Sequence, residues 1–142
     1  MSLFDSLSVS SSGMSAQRTR VELLVENLAN AETTRTPEGG PYRRKDAVFQ
    51  TKDVNSAFSS IFQTQLGTGV EVSEITVDQR DPEQRYVPGH PDADVNGYVA
   101  FPRMNPAEDM VDMLTATRGY EANVTAISAV KEMIQRSIDI MR

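Results

Sequence analysis

The last quarter of the chain carries the most regular hydrophobic pattern. Between residues 105 and 142, apolar side chains recur every seven positions, and a second row lies four positions on. The first row is Met113, Tyr120, Ile127, Ile134 and Met141, and the second is Met110, Thr117, Val124, Lys131 and Ile138. Two such rows over four heptads are typical of a coiled-coil seam with two polar interruptions. The pattern predicts one helix, about 55 Å long at ~1.5 Å per residue, that needs a partner along its length.

The start of this helix is marked by capping residues. Asn105 is a favoured N-cap, Pro106 suits the first helical position, and Glu108 completes a signal similar to a capping box. We therefore expect the helix to begin at Pro106.

A second heptad pattern occupies residues 3–31. One row is apolar throughout and comprises Leu7, Met14, Val21 and Leu28, whereas the companion row is mixed and comprises Leu3, Ser10, Gln17, Leu24 and Ala31. Both predicted helices contain mediocre helix formers, so they should gain most of their helicity from packing. We therefore expect ends that become ordered in an assembly, with a simple intramolecular helical hairpin as the alternative.

Residues 32–104 have a different composition, with six of the seven prolines and six of the eight glycines. This excludes long helices and favours short strands and turns. Strands are predicted at residues 70–72, 75–77 and 98–101, with a bulge or bend between the first two. Tyr86 and Val87 could resume that run after Asp81 and Pro82, and residues 53–65 have helix-like spacing. The chain is thus predicted to be α+β and mainly α, with a coiled-coil core of residues 1–31 and 105–142 and a β-rich insert or arm of residues 32–104.

Charge and composition argue against several classes of function. The formal net charge of −6 without a basic face argues against nucleic acid as a partner. The chain has no cysteine, no apolar run approaching the ~20 residues of a membrane span, and no pattern typical of a cleaved secretory signal.

Few residues suggest site chemistry. Asp92, Asp94 and Asn96 match the first half of a calcium loop, but Arg103 stands where the bidentate glutamate belongs, so an Asx turn is the better interpretation. His90 is the only histidine. We find no catalytic constellation, and we expect no metal, cofactor or small-molecule substrate. The basic run from Arg43 to Lys45 is open to two interpretations, a grip on an anion or a solvated face that pairs between subunits.

Two long stretches resemble flagellar basal-body rod proteins, in the form of a proximal-rod member. The first spans residues 25–45 and the second spans residues 105–123, and the resemblance covers essentially the whole chain. The motif residues are Asn27, Asn30, Arg35, Pro37, Gly39, Gly40, Tyr42, Arg43, Arg44, Asn105, Pro106, Glu121 and Asn123. Glu26 departs from the alanine that rod and hook proteins usually carry before the asparagine.

The resemblance implies a structural role in motility. Axial proteins of the bacterial flagellum are exported unfolded by the flagellar type III apparatus without a cleaved signal, and their termini pair into a coiled coil inside a helical tube. The implied partners are other rod proteins, copies of this chain, basal-body or export-gate components and the export apparatus, and the implied location is the periplasmic rod of the basal body. Two other classes stay open: a cytoplasmic coiled-coil adaptor or chaperone, and a basal-body enzyme that cuts cell wall.

The heptad rows give the candidate interface residues. They are Leu7, Met14, Val21, Leu24, Leu28, Met110, Met113, Tyr120, Val124, Ile127, Ile134 and Ile138. Asn27 and Asn30 could cap a helix or bond across subunits, and Arg43, Arg44 and Lys45 are candidates for contacts with neighbouring rod subunits.

Overall fold

A computed structural model describes residues 3–51 and 69–140, with two long helices at the ends and short strands between them. The elements in chain order are α1 (Leu3–Ala29), β1 (Lys45–Thr51), β2 (Val70–Val77), β3 (Glu83–Tyr86), β4 (Tyr98–Phe101) and α2 (Pro106–Ile140). The predicted α+β class with mainly helical content is confirmed. The helix-like spacing at 53–65 and the last heptad position, Met141, lie outside the described residues.

The two helices pack against each other within one chain and run in opposite directions. Gly13 of α1 lies against Asn123 of α2, and four residues further along α1, Gln17 lies against Gly119. Arg20 then reaches Asp112 with 3.5 Å between Nη2 and Oδ1. Since α2 has 35 residues and α1 has 27, the pair is unequal in length.

The side of α2 that faces α1 is built from small and polar residues. Asp109, Ala116 and Val130 are buried, and Asn123, which continues the same seven-residue spacing, is half-buried. The row that begins at Met113 borders this contact; of its described members, Met113, Ile127 and Ile134 are half-buried and Tyr120 is 40% exposed. Small side chains allow two helix axes to approach closely, so this row rather than the larger residues forms the tightest contact.

The second predicted row of α2 is exposed, and its member Thr117 borders the groove between the two helices. Met110, Val124 and Ile138 are 48%, 41% and 55% exposed, and Thr117 and Lys131 are also exposed. On α1, Ala16, Leu23 and Leu24 are buried, whereas the apolar row of Leu7, Met14, Val21 and Leu28 is half-buried. A role for these rows between subunits stays a prediction.

The strands form two separate antiparallel pairs, β1 with β2 and β3 with β4. In the first pair the register shifts between Val48 and Phe49, which pair with Glu74 and Val72, so that Ser73 is passed over. This confirms the bulge predicted between the two halves of β2. Most residues of both strands are exposed, so this hairpin contributes little core of its own.

The ends of both helices are closed by asparagines. Ala107 donates its backbone N–H to Asn105 Oδ1 at 3.1 Å, which confirms the predicted N-cap of α2. At the other end, Asn30 Nδ2 donates to the Glu26 carbonyl at 2.9 Å, so the side chain satisfies a carbonyl in the last turn of α1.

Candidate assembly surfaces and the motif junction

The most buried motif residue, Asn27, joins α1 to the first strand. Its side chain is fully buried. Nδ2 donates to the Lys45 carbonyl at 2.8 Å, and Oδ1 accepts the Lys45 N–H at 2.9 Å and the Tyr42 hydroxyl at 3.0 Å. One amide therefore satisfies both backbone groups of the first residue of β1, as a neighbouring strand would.

Tyr42 and Glu26 complete this junction. Burial raises the pKa of Tyr42 to about 12, and the Glu26 carboxylate adds to the shift. Glu26 Oε1 pairs with Lys45 Nζ, which also lies 5.7 Å from the centre of the Tyr42 ring. The residue that departs from the motif thus has a partner on β1. The negative charge of Glu26 is therefore paired with Lys45 within the chain.

Arg44 turns inward to α2 and ties the arm to the second helix. Its Nη2 lies 2.9 Å from Asp109 Oδ1, and its Nη1 lies 3.3 Å from Asp46 Oδ2. Asp112, at 3.9 Å from Nη2, is shared with Arg20 of α1. Both helices and β1 are therefore joined by one network of charges.

Asp109 is the most buried residue of this network, and the sequence analysis did not single it out as a site. It is 2% exposed, and within the described residues its Oδ2 has no hydrogen-bond partner. Burial raises its pKa, the Arg44 guanidinium opposes that shift, and the carboxylates of Asp46 and Asp112 add to it. The only signal in the sequence is its place in the second motif, one turn after the N-cap.

The proline and glycines of the first motif form a tight turn. Thr36 donates its N–H to the Gly40 carbonyl at 2.9 Å, and Gly39 donates to the Thr36 carbonyl at 3.0 Å. Gly39 and Gly40 have φ angles of 92° and 78°, a backbone conformation that residues other than glycine rarely adopt. Before the turn, Arg35 pairs with Asp92 at 3.6 Å, so the turn segment is held against the loop that precedes β4.

Of the two residues of the second motif that lie in the middle of α2, Asn123 is half-buried and Glu121 is exposed. Asn123 lies against Gly13, and its Nδ2 donates to the Gly119 carbonyl at 2.9 Å. Glu121 is exposed. The asparagine therefore contributes to the contact between the helices, whereas the glutamate is available at the surface.

Arg43, unlike its neighbours in the basic run, points outward. It is exposed and donates from Nη1 to the Asp78 carbonyl at 3.0 Å. Arg80 and Arg103 lie around the same shallow depression, which the prolines Pro41 and Pro82 also line. The structure therefore divides the run of Arg43, Arg44 and Lys45, with two residues in the junction and one on a surface shared with distant arginines.

Large apolar side chains cover much of the outer side of the helices. On α2 the exposed ones are Met110, Val111, Leu114, Tyr120, Val124, Met133, Ile138 and Ile140. Val21 and Tyr120 also line an open groove between the two helices, bordered by Arg18, Glu22 and Thr117. Exposed apolar area on this scale is typical of surfaces that other proteins cover.

In the loop that resembles the first half of a calcium site, the aspartates accept hydrogen bonds that stabilise turns. Asp94 Oδ1 accepts the N–H groups of Asn96 and Tyr98 at 2.8 and 2.9 Å, and Asp92 Oδ2 accepts the Thr34 hydroxyl at 2.8 Å. His90 Nδ1 accepts the Asp92 N–H at 3.1 Å. Among residues 3–51 and 69–140, no group of three or more histidine or acidic residues is arranged to hold a metal ion. None of the helices in that part of the chain is long and apolar enough to cross a membrane.

Comparison with protein families gives a match at the C-terminal end. The family described as flagellar basal body rod FlgEFG protein, C-terminal, matches residues 95–140. That range contains β4, the N-cap of α2 and the whole of α2 up to its last described residue.

Individual proteins match over the full chain. A Bacillus subtilis protein named flagellar basal-body rod protein FlgC is 44% identical over 150 residues, covering 99% of this chain and 99% of that protein. A protein of the same name from Borreliella burgdorferi is 40% identical and covers 100% of this chain and 99% of its own length. The Salmonella typhimurium protein of that name is 34% identical, with 99% and 98% covered.

Proposed function

The chain belongs to the family of flagellar basal-body rod proteins FlgC, and we infer that it is a structural subunit of the bacterial flagellar basal-body rod. The observation that carries this conclusion is the full-length match at 40% and 44% identity. The relatives are rod proteins rather than enzymes, which fits a role without catalysis. A cytoplasmic adaptor or chaperone is not favoured, because the match extends over both ends and the middle of the chain.

We propose that α1 and α2 form the coiled-coil core of each subunit and that residues 32–104 form an arm on its outside. The contact of Gly13 with Asn123 and of Gln17 with Gly119 supports the pairing of the two ends. The strands all lie within the arm, which supports the division into residues 1–31 with 105–142 and residues 32–104. The junction of Asn27, Arg44 and Asp109 then holds the arm at a fixed angle to the core.

The exposed apolar rows are proposed to be contacts between subunits. Met110, Val124 and Ile138 face away from α1 and are too exposed for an isolated chain to gain from them. Contacts of this kind that do not close into a ring generate a helical assembly, which suits a rod. The subunit would belong to the proximal rod, join other rod proteins and copies of itself, and transmit torque through many shared contacts.

Location in the basal body follows from the family, and passage to the periplasmic rod is part of the proposal. The chain would leave the cytoplasm unfolded through the flagellar type III apparatus, without a cleaved signal. Helices that gain most of their helicity from packing suit such passage, because they need not be stable before they dock.

Gene deletion tests the function directly. In a strain without this gene, we expect cells that do not swim and basal bodies with rings but no rod in electron micrographs. Complementation with the intact gene should restore both. Motile deletion cells with complete rods would exclude an essential rod subunit and favour the adaptor. Because the chain has no cysteine, single cysteines could then be introduced to map its neighbours by crosslinking.

A further inference from the structure

Arg43 and Arg103 stand apart from most of the basic residues in the described chain. Arg18, Arg20, Arg44 and Arg85 each reach a carboxylate within 4.0 Å. Within residues 3–51 and 69–140, Arg43 and Arg103 form no salt bridge, although Arg43 donates to a backbone carbonyl. Neither guanidinium forms an ion pair with a described carboxylate, although the charge of Arg103 contributes to the lowered pKa values of Asp78 and Glu83.

These two arginines and Arg80 come together around Asp78, although they lie far apart in the sequence. All three line one depression, and we call them the arginine patch. Arg80 forms an ion pair with Asp78, in which Arg80 Nε lies 2.9 Å from both carboxylate oxygens. The Asp78 carboxylate is 15% exposed and pairs with Arg80, and the more distant charge of Arg103 also lowers its pKa, whereas Arg43 reaches only the Asp78 backbone carbonyl.

Two exposed carboxylates without a salt bridge to a described residue lie on β2 of the same hairpin, Glu71 near the start of the strand and Glu74 in its middle. Glu71 and Glu74 of β2 are exposed, and neither forms a salt bridge within the described residues. Glu71 is seven residues before Asp78, which corresponds to about 23 Å along a strand. The hairpin therefore carries the arginine patch at one end, Glu71 towards the other end, and Glu74 between them.

We propose that the arginine patch binds the β2 carboxylates Glu71 and Glu74 of a neighbouring copy of this chain. The proposal rests on the rod function and names one of its contacts. Copies that each carry a charge of −6 repel one another unless opposite charges meet at their contact. Guanidinium forks match carboxylates in geometry as well as in charge. Because the two ends differ, the contact is head-to-tail and leaves each new copy with a free end.

Charge reversal with a matched control tests this contact. Arg103→Glu is the informative change, since Arg103 makes no hydrogen bond or salt bridge with a described residue; because its charge acts on Asp78 and Glu83, urea unfolding of the purified variant should first match that of the original chain. Arg118→Glu, on α2, makes the same change in charge at another exposed arginine without a salt bridge. We expect Arg103→Glu cells to carry fewer rods and to form smaller swimming halos than Arg118→Glu cells. Glu74→Arg should give a similar loss, and the double variant should recover swimming.

Three outcomes would overturn the proposal. One is normal swimming with Arg103→Glu in a strain where gene deletion abolishes rods, which leaves the rod function intact. Another is a defect with Arg103→Glu and none when Glu71 and Glu74 are both reversed, which would indicate a different anion, such as another rod subunit or a lipid headgroup. The third is a defect in both single variants that the double variant does not relieve. Motile deletion cells would instead contradict the rod function itself.

Discussion

At the scale of single residues, one amide holds the arm to the core. Asn27 makes hydrogen bonds to the Lys45 N–H, the Lys45 carbonyl and the Tyr42 hydroxyl, all in a buried position. Buried polar groups that lose a partner cost more than exposed ones, because no water replaces the bond. The stability of the junction therefore depends on this side chain more than on any apolar residue of the arm.

Replacing this amide should be costly. We expect Asn27→Ala to lower the free energy of unfolding by about 3 kcal/mol, since each lost hydrogen bond contributes about 1 kcal/mol. Tyr42→Phe, which removes only the hydroxyl, should lower it by about 1 kcal/mol. Urea unfolding of the purified chain, followed by circular dichroism, measures both. Equal losses in the two variants would show that the Lys45 bonds contribute nothing.

The raised pKa of Tyr42 predicts that the folded chain loses stability at alkaline pH. Its pKa in the folded chain, raised to about 12 by burial, exceeds the usual 10, so the fold favours the neutral phenol. The corresponding stability is present below pH 10, is lost as the pH rises towards 12, and amounts to about 3 kcal/mol. In Tyr42→Phe this loss should be absent. The measurement is the urea midpoint of the original chain and of Tyr42→Phe at several pH values from 9 to 12. If the two midpoints fall in parallel as the pH rises, the raised pKa of Tyr42 is contradicted.

Residue types predicted some of these roles and missed others. Asn105 and Asn30 close helix ends as their chemistry suggests, because capping depends on neighbours in sequence. The sequence could not separate Arg43, which points outward, from Arg44, which pairs with Asp109. That difference arises from where α2 passes the arm, which is tertiary information.

At the scale of elements, the heptad pattern predicted both helices but not the tightest line of contact between them. The prediction favoured the rows with the largest apolar residues, whereas Ala116, Asn123 and Val130 face α1. Hydrophobic periodicity identifies the apolar sector of a helix, but close approach depends on small residues that such a pattern ignores. The glycines on each helix gave the missing signal, since each lies beside an amide side chain of the other helix.

The two helical glycines should respond differently to alanine. A Cβ at Gly119 would lie 3.4 Å from Gln17 Cδ, an ordinary contact, whereas one at Gly13 would lie 3.1 Å from Asn123 Nδ2. Because alanine is a better helix former, we expect Gly119→Ala to raise the free energy of unfolding by about 0.5–1 kcal/mol. Gly13→Ala should show no gain, since Asn123 must move. Urea midpoints with equal slopes measure the difference, and equal gains would contradict the close contact at Gly13.

At the scale of the whole molecule, the described chain has a small core and a large apolar surface. Its buried apolar residues are Ala16, Leu23, Leu24, Tyr42, Val99, Ala116 and Val130. The sequence indicated this imbalance, because two long seams and a proline-rich middle leave little to bury. It could not indicate the arginine patch, whose members belong to segments that only the fold brings together.

Aspartate substitutions separate packing inside the chain from packing between subunits. Ile127 is half-buried and lies in the row that borders α1, whereas Val124 is 41% exposed. Ile127→Asp should cost several kcal/mol, because it buries an unpaired charge, and should prevent incorporation into rods. Val124→Asp should leave the free chain within about 0.5 kcal/mol of the original, because the site is exposed, but should also block incorporation.

The control for these variants is Thr125→Asp, which places the same charge at an exposed position of α2. It should swim normally. Urea unfolding reports on the chain, and electron microscopy of basal bodies with a swimming assay reports on the rod. Normal swimming by Ile127→Asp would refute its place in the seam, and normal swimming by Val124→Asp would show that its row is ordinary surface.

The small core also determines how the protein responds to temperature. The heat capacity change of unfolding comes mainly from apolar area, and globular chains of 142 residues show about 1.9 kcal/mol/K. A chain that buries so few apolar side chains has a lower value, and its stability curve is correspondingly flat. In the proposed assembly the exposed apolar rows are buried when subunits join, so we expect a heat capacity change at that step. Joining is then driven by the entropy of released water, and cooling weakens the contacts between subunits more than it weakens the subunit itself.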